Sequence, residues 1–219
     1  VIPDDSPWGH DTSLLRRLSR EIAAQCLRMI LGATIIGLLH HYDLFLAFLL
    51  GFAALKSWID PLRNGQQLRH GMVFLVGTLL TVASGSLLAE NWGIANGYWY
   101  YHDLPDGRTY PYWLPFAWAL AFGVLYRVEE RVIHACKITR ISNKLMIALF
   151  VAMIIPAWGE MVVINLGVWT YTWGWQLFGV PALAVLLLIV LHLGVFLTVA
   201  LGCKLLKIEH PIFAPNQSN

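Results

Sequence analysis

The chain has 219 residues, 58% of them hydrophobic and 13% charged, with a net charge of +2 and mean hydropathy +0.60. Soluble domains carry about 25% charged residues. Half that density leaves too little polar surface to face water all round, which excludes an ordinary soluble globule and points to a single polytopic membrane domain, residues 1–219, in a bacterial inner membrane. Membrane lipids are the expected surroundings, and no nucleic-acid partner is expected.

Residues 1–19 are expected to form a polar arm, irregular over 1–15, with a basic group at Arg16, Arg17, Arg20 and Arg28. A first apolar segment runs from about Ile22 to Leu39 and stops at His40-His41-Tyr42-Asp43. A second, from about Leu44 to Trp58, is brief, where about 17 residues can just cross a bilayer. Asp60-Pro61 is expected to break it and open a polar loop. The third segment, about Met72 to Gly97, contains Gly77, Ala83, Gly85 and Ser86, small residues that let helices approach closely. An aromatic loop with Asp103, Asp106 and Arg108 leads to a fourth segment, about Trp113 to Tyr126. A basic loop over 127–144 follows. The fifth segment, about Leu145 to Val168, holds Pro156, which removes a backbone hydrogen bond and predicts a kink. The sixth runs from about Phe178 to Leu201, and 208–219 form a polar tail. The fold class is therefore all-α, with about six spans. Lys and Arg alternate between loops so that both termini fall on the cytoplasmic side.

One pattern occurs twice. Glu90, Gly97, Trp99, Tyr101 and Pro111 recur 70 positions later as Glu160, Gly167, Trp169, Tyr171 and Pro181. This is an internal repeat in which the third and fourth segments match the fifth and sixth. Its simplest elements have local explanations. Gly97 and Gly167 suit helix ends, and Trp99, Tyr101, Trp169 and Tyr171 suit the aromatic belt at a membrane interface. The acids do not reduce so easily, because a carboxyl group within a membrane helix is costly and usually functional or paired.

Two carboxyl groups facing one cavity need not titrate together, since ionising one disfavours ionising the other. One remains a proton donor while the other accepts, which suits general acid–base work on an apolar substrate. Protonating an alkene makes a carbocation, which π faces and carboxylates stabilise. Glu160 and Glu90 are the catalytic candidates. Trp92, Trp99, Trp158 and Trp169 are candidate π faces, with Asn91, Asn165 and His192 as further substrate-binding candidates. Trp158 and Trp92 lie two residues from their acids and so point to other sides of the helices. Asn91, Asn96 and Asn165 equally suit interhelical hydrogen bonding, and His192 a hydrogen-bonded helix contact. Glu129 and Glu130, among Arg127 and Arg131, read as a solvated helix end. Cys26, Cys136 and Cys203 show no metal-binding spacing. No metal and no cofactor are expected.

Gly167-Val-Trp-Thr-Tyr171, followed by Phe178-Gly-Val-Pro181, resembles a segment of the membrane lycopene cyclases of the two-subunit and fused type. The Glu-x6-Gly-x-Trp-x-Tyr pattern is also similar to membrane carotenoid hydratases of the bacterioruberin pathway. The resemblance implies a small helical membrane protein acting on a long isoprenoid by acid-initiated alkene chemistry without a redox cofactor. Where the cyclases carry Pro-x-Glu-Glu, this chain reads Pro111-Tyr-Trp-Leu and Pro181-Ala-Leu-Ala. A fainter likeness is to the emopamil-binding sterol isomerases. The leading expectation is an isoprenoid or lipid cyclase, hydratase or isomerase. The rivals are a substrate-binding subunit of a vitamin-uptake type system and an accessory subunit of a larger complex, with a homo-oligomer also open.

Overall fold

The structure, a computed structural model, describes residues 12–63, 68–105 and 107–213. Most of the N-terminal arm, part of the loop expected at 59–71, Asp106 and the end of the tail lie outside the described residues. The architecture is mostly helical. The helices are α1 (Thr12–Leu39), α2 (Asp43–Arg63), α3 (Leu68–Thr81), α4 (Glu90–Ala95), α5 (Leu114–Ala135), α6 (Ile141–Asn165) and α7 (Ala182–Leu205). Short strands β1 (Trp99–Tyr101), β2 (Trp169–Tyr171), β3 (Gln176–Leu177) and β4 (Val180–Pro181) lie between them. Among the described residues, four helices are long and apolar enough to cross a membrane: Leu18–Leu39, His70–Ala95, Ile141–Asn165 and Ala182–Leu205.

Several boundaries differ from the sequence reading, among them the sixth segment, expected from about Phe178, which begins as α7 at Ala182 after β3 and β4. α1 begins at Thr12, so part of the expected irregular arm is helical. α2 continues through Pro61 to Arg63, because a proline near a helix end forfeits few backbone bonds. α5 carries on past Tyr126 through the charged run to Ala135. It opens with Pro115 in its first turn, where a missing N–H costs nothing. The tail does not leave the protein at once: Ile212 is fully buried and belongs to the same core as Phe74, Phe122, Val195 and Phe196.

The span from His70 to Ala95 is not one uniform helix. Between α3 and α4 the residues Val82–Ala89 form a π segment, and the Glu90 N–H donates back to Gly85, five residues earlier. π turns are rare and concentrate at functional sites. α6 has its own interruption at Pro156. Pro156 lies four residues before Glu160, as Ser86 of the π segment lies four before Glu90. Both acids thus follow a local departure from α-helical bonding.

α4 and α6 end alike. Tyr98 N–H reaches Gly93 C=O at 2.9 Å and Gly97 N–H reaches Ile94 C=O at 2.9 Å; Val168 reaches Val163 at 3.1 Å and Gly167 reaches Ile164 at 2.9 Å. Gly97 (φ +69°) and Gly167 (φ +78°) supply the left-handed residue this ending requires. Each chain then turns directly into β1 or β2, which pair antiparallel with Trp99 opposite Tyr171 and Tyr101 opposite Trp169.

Lipid-embedded helices gain little from the hydrophobic effect between them, so close fit matters most. Gly77 faces the Phe122 ring and Gly85 the Trp118 ring, where an added Cβ would come within 2.5 and 2.6 Å of ring atoms. Ser86 is buried too, but Ala83 is exposed and takes no part in this packing.

Candidate functional site

The ribbon of β1 and β2 closes over the ends of α4 and α6 and places four aromatic side chains on the two acids. Glu90 is buried. Its Oε2 accepts from Trp99 Nε1 at 2.8 Å and Tyr101 Oη at 3.1 Å, and its Oε1 from Trp118 Nε1 at 3.3 Å. Glu160 is partly buried. Its Oε2 accepts from Tyr171 Oη at 3.0 Å, with the Trp169 indole beside it as a second donor. The carboxyl groups lie within electrostatic reach of each other, and both tyrosines feel both acids. Burial pushes the Tyr101 and Tyr171 phenols well above the ordinary tyrosine range, so both stay protonated and act as donors.

Two glycines make this possible. The Trp99 ring lies directly over Gly93, where a Cβ would come within 1.8 Å of it, and Trp118 lies over Gly85. The rings also pack on one another: Trp99 against Tyr171 at 5.7 Å, Tyr101 against Trp169 at 5.4 Å, and Trp173 stacked on Tyr171 at 5.8 Å. Around them, Trp113 and Trp169 join Leu46, Leu50 and Val163 in an apolar shell. The result is a pair of carboxyl groups held by O–H and N–H donors inside an aromatic box.

The structure brings together Glu90, Glu160, Trp99 and Trp169 of the sequence candidates. The four belt residues turn inward on the acids instead of lying outward at an interface. Trp92 and Trp158 face outward, 46% and 55% exposed. Asn91 and Asn165 are exposed and bond back to Leu87 and Met161 of their own helices, and Asn96 does the same with Trp92, so none bridges two long helices. Asn165 lies 3.4 Å from the Phe178 carbonyl as well. Tyr101, Tyr171 and Trp118 are members the sequence candidates lacked. The tyrosines were visible in the repeat, whereas Trp118 comes from a helix with no matching motif.

His192 lies elsewhere. Its Nε2 sits 2.6 Å from Glu129 Oε1, with both side chains buried and Phe122 and Phe196 rings alongside. This corrects the reading of Glu129 as a solvated group. α5 extends far enough to press that residue against α7, and a buried carboxyl needs a partner. Lys144, expected in a basic loop, is also buried, with Nζ 2.6 Å from the Ile212 carbonyl. Two connected apolar grooves of about 480 and 270 Å³ run between α3 with its π segment and α7, sharing Leu80 and Thr198. Neither touches Glu90 or Glu160.

Comparison with protein-family models, with curated proteins and with solved structures finds no match.

Proposed function

We propose that the chain is a membrane enzyme that moves protons to and from an apolar lipid of the isoprenoid class, with Glu160 as acid and Glu90 as its partner. One observation carries the reading: two carboxyl groups from different helices lie within electrostatic reach of each other, each held by indole and phenol donors of one aromatic box. Glu160 has fewer donors and more exposure than Glu90, which favours it as the group that meets substrate. Its O–H proton adds to one alkene carbon, leaving a cation on the neighbouring carbon and a carboxylate on Glu160. Loss of a proton from an adjacent carbon to a carboxylate completes an isomerisation; attack of a second alkene of the same molecule on the cation forms a ring bond and a new cation, whose proton loss completes a cyclisation; and capture of water with proton release completes a hydration. The resemblance to carotenoid cyclases and hydratases supports the substrate class.

The same proposal takes α2 and α5 as further spans, six in all, with the units from α3 to α5 and from α6 to α7 as copies of one plan. It places both termini in the cytoplasm of a bacterium. Lys137 and Arg140 between α5 and α6, and Lys204 and Lys207 at the end of α7, support this, while Arg108 is the sole Lys or Arg between Glu90 and the start of α5.

Lipid extracted from the purified protein and identified by mass spectrometry tests the substrate class. A polyene isoprenoid is expected, and a polar vitamin would overturn the reading. Glu160→Gln is expected to lower conversion of that lipid at least about 100-fold without lowering the amount bound. A second reading is an accessory subunit in which the acids are structural. It draws support from the donors that already satisfy both acids, and undiminished activity in Glu160→Gln would favour it.

A further inference from the structure

We propose that His40, His41 and Asp103 form a binding site for one divalent cation of the zinc class at the ribbon end of the helices. The two histidines occupy the turn between α1 and α2, and Asp103 follows β1 by two residues. His40 Nε2 and His41 Nδ1 each lie 3.2 Å from the same oxygen, Asp103 Oδ2. The three donor atoms lie within 4.8 Å of one another.

The tautomer of His40 is fixed. Its Nδ1 stands 2.7 Å from the Gly37 carbonyl, which only accepts, so Nδ1 carries the proton. A histidine that donates one ring N–H to a backbone carbonyl and presents the other nitrogen is the arrangement that orients a metal ligand. In the neutral ring the Nε2 lone pair then points at a carboxylate oxygen, and two electron-rich atoms at 3.2 Å need something positive between them. A proton there, on His40 or on Asp103, bridges only that one pair, with the His41 ring 3.9 Å from the His40 ring. A divalent cation satisfies all three donors with both rings neutral.

The dimensions fit. Bonds of about 2.0–2.1 Å in a tetrahedral set place neighbouring ligand atoms about 3.3 Å apart, against the two contacts of 3.2 Å. Asp103 holds its place through a left-handed backbone, φ +55°, uncommon for a residue other than glycine. His41 and Asp103 are half exposed, with side-chain accessibilities of 56% and 51%, so the fourth position opens outward. Bound there, the ion ties the α1–α2 turn to the strand carrying Trp99 and Tyr101, the donors to Glu90. The site is separate from the paired acids and stands whether or not they are catalytic.

The test uses full-length, tag-free protein in detergent, stripped with a chelator and titrated with Zn²⁺ against a chromogenic competitor. One ion per chain is expected at micromolar affinity or tighter, and Zn²⁺ is expected to raise the melting temperature. His40→Ala and Asp103→Asn are each expected to weaken binding at least tenfold and remove the thermal shift. His41→Asn, at an exposed position, provides a variant whose folding is not in question and is expected to weaken binding likewise. No stoichiometric zinc on the wild type, or His41→Asn and Asp103→Asn both binding as the wild type does, would overturn the proposal.

Discussion

Trp99 and Tyr171 stand opposite each other in the ribbon with their rings 5.7 Å apart, yet their polar atoms serve different acids. The Trp99 indole donates to Glu90 and the Tyr171 phenol to Glu160. One cross-strand, edge-to-face pair therefore links the two helix ends that carry the acids.

The acids are unequal in what their loss leaves behind. Removing the Glu90 carboxyl strands three donors, buried Trp99 and partly buried Tyr101 and Trp118, whereas removing that of Glu160 strands Tyr171 and its neighbour Trp169. An unsatisfied buried polar group costs about 1–3 kcal/mol. Glu90→Ala is expected to lower the melting temperature more than Glu160→Ala does, and Glu90→Gln, which keeps an acceptor, is expected to recover part of the loss. Thermal melts in one detergent, followed by circular dichroism, make the comparison. Equal losses for the two alanine variants would contradict the asymmetry.

Gly93→Ala drives a methyl group into the Trp99 ring. The indole has to leave Gly93 and with it the Glu90 carboxylate, a change of the overpacking kind that costs about 1–3 kcal/mol. Gly97→Ala meets open space and costs only the left-handed conformation, about 1 kcal/mol. Near-ultraviolet circular dichroism separates the two cases: the tryptophan signal is expected to change in Gly93→Ala and to persist in Gly97→Ala.

Glu129 and His192 form a buried pair whose value depends on both members. Removing one leaves the other buried and unpaired, at about 3–5 kcal/mol. Glu129→Leu and His192→Phe are each expected to destabilise strongly, and the double variant less than the sum of the two. A double-mutant cycle measures the coupling; strict additivity would show that the contact does not contribute.

His210 lies beyond α7, and burial pulls its imidazole down to about 4, with Lys144 and His70 adding to the shift. Its Nδ1 accepts from the N–H groups of Ile212 and Phe213 at 3.1 and 3.4 Å, so the folded state requires that nitrogen bare. The unfolded chain binds a proton below about pH 6.5, and the folded one resists until about 4. Stability is thus present above pH 6.5 and falls as the pH drops toward 4, by roughly 3 kcal/mol at most. His210→Asn keeps a short acceptor for those N–H groups without titrating here. Its melting temperature is expected to fall less than that of the wild type between pH 7 and pH 5.

The acids, the glycines that end their helices and the aromatic pairs beyond them were all legible in sequence, because each belongs to a short local pattern. What was not legible depends on distance along the chain or on geometry with no residue signature. Glu129 is 63 positions from His192, and its charged neighbours suggested solvent. His40 and His41 were seen as a helix end, but Asp103 comes from another loop. The burial of Lys144 needs a tail that folds back, which a polar sequence after an apolar helix does not announce. Tyr101 and Trp99 were read as interface anchors because composition alone cannot tell an aromatic facing lipid from one turned onto a carboxyl group.

The wide turns between Val82 and Ala89 make the span from His70 to Ala95 sensitive to counting. A π turn accommodates about one residue more than the α turn it replaces. Eight residues in this wide bonding turn about as far as seven in an α-helix, so closing the same eight as ordinary α-helix would rotate all that follows by roughly 100°. Glu90 would then swing off Trp118 while its twin, after Pro156, stayed in place. A single deletion within Val82–Ala89 that restores α bonding should therefore leave Glu90 facing Trp118, whereas a deletion in α3 or α4 should turn it away, so the π segment is where this span can change length.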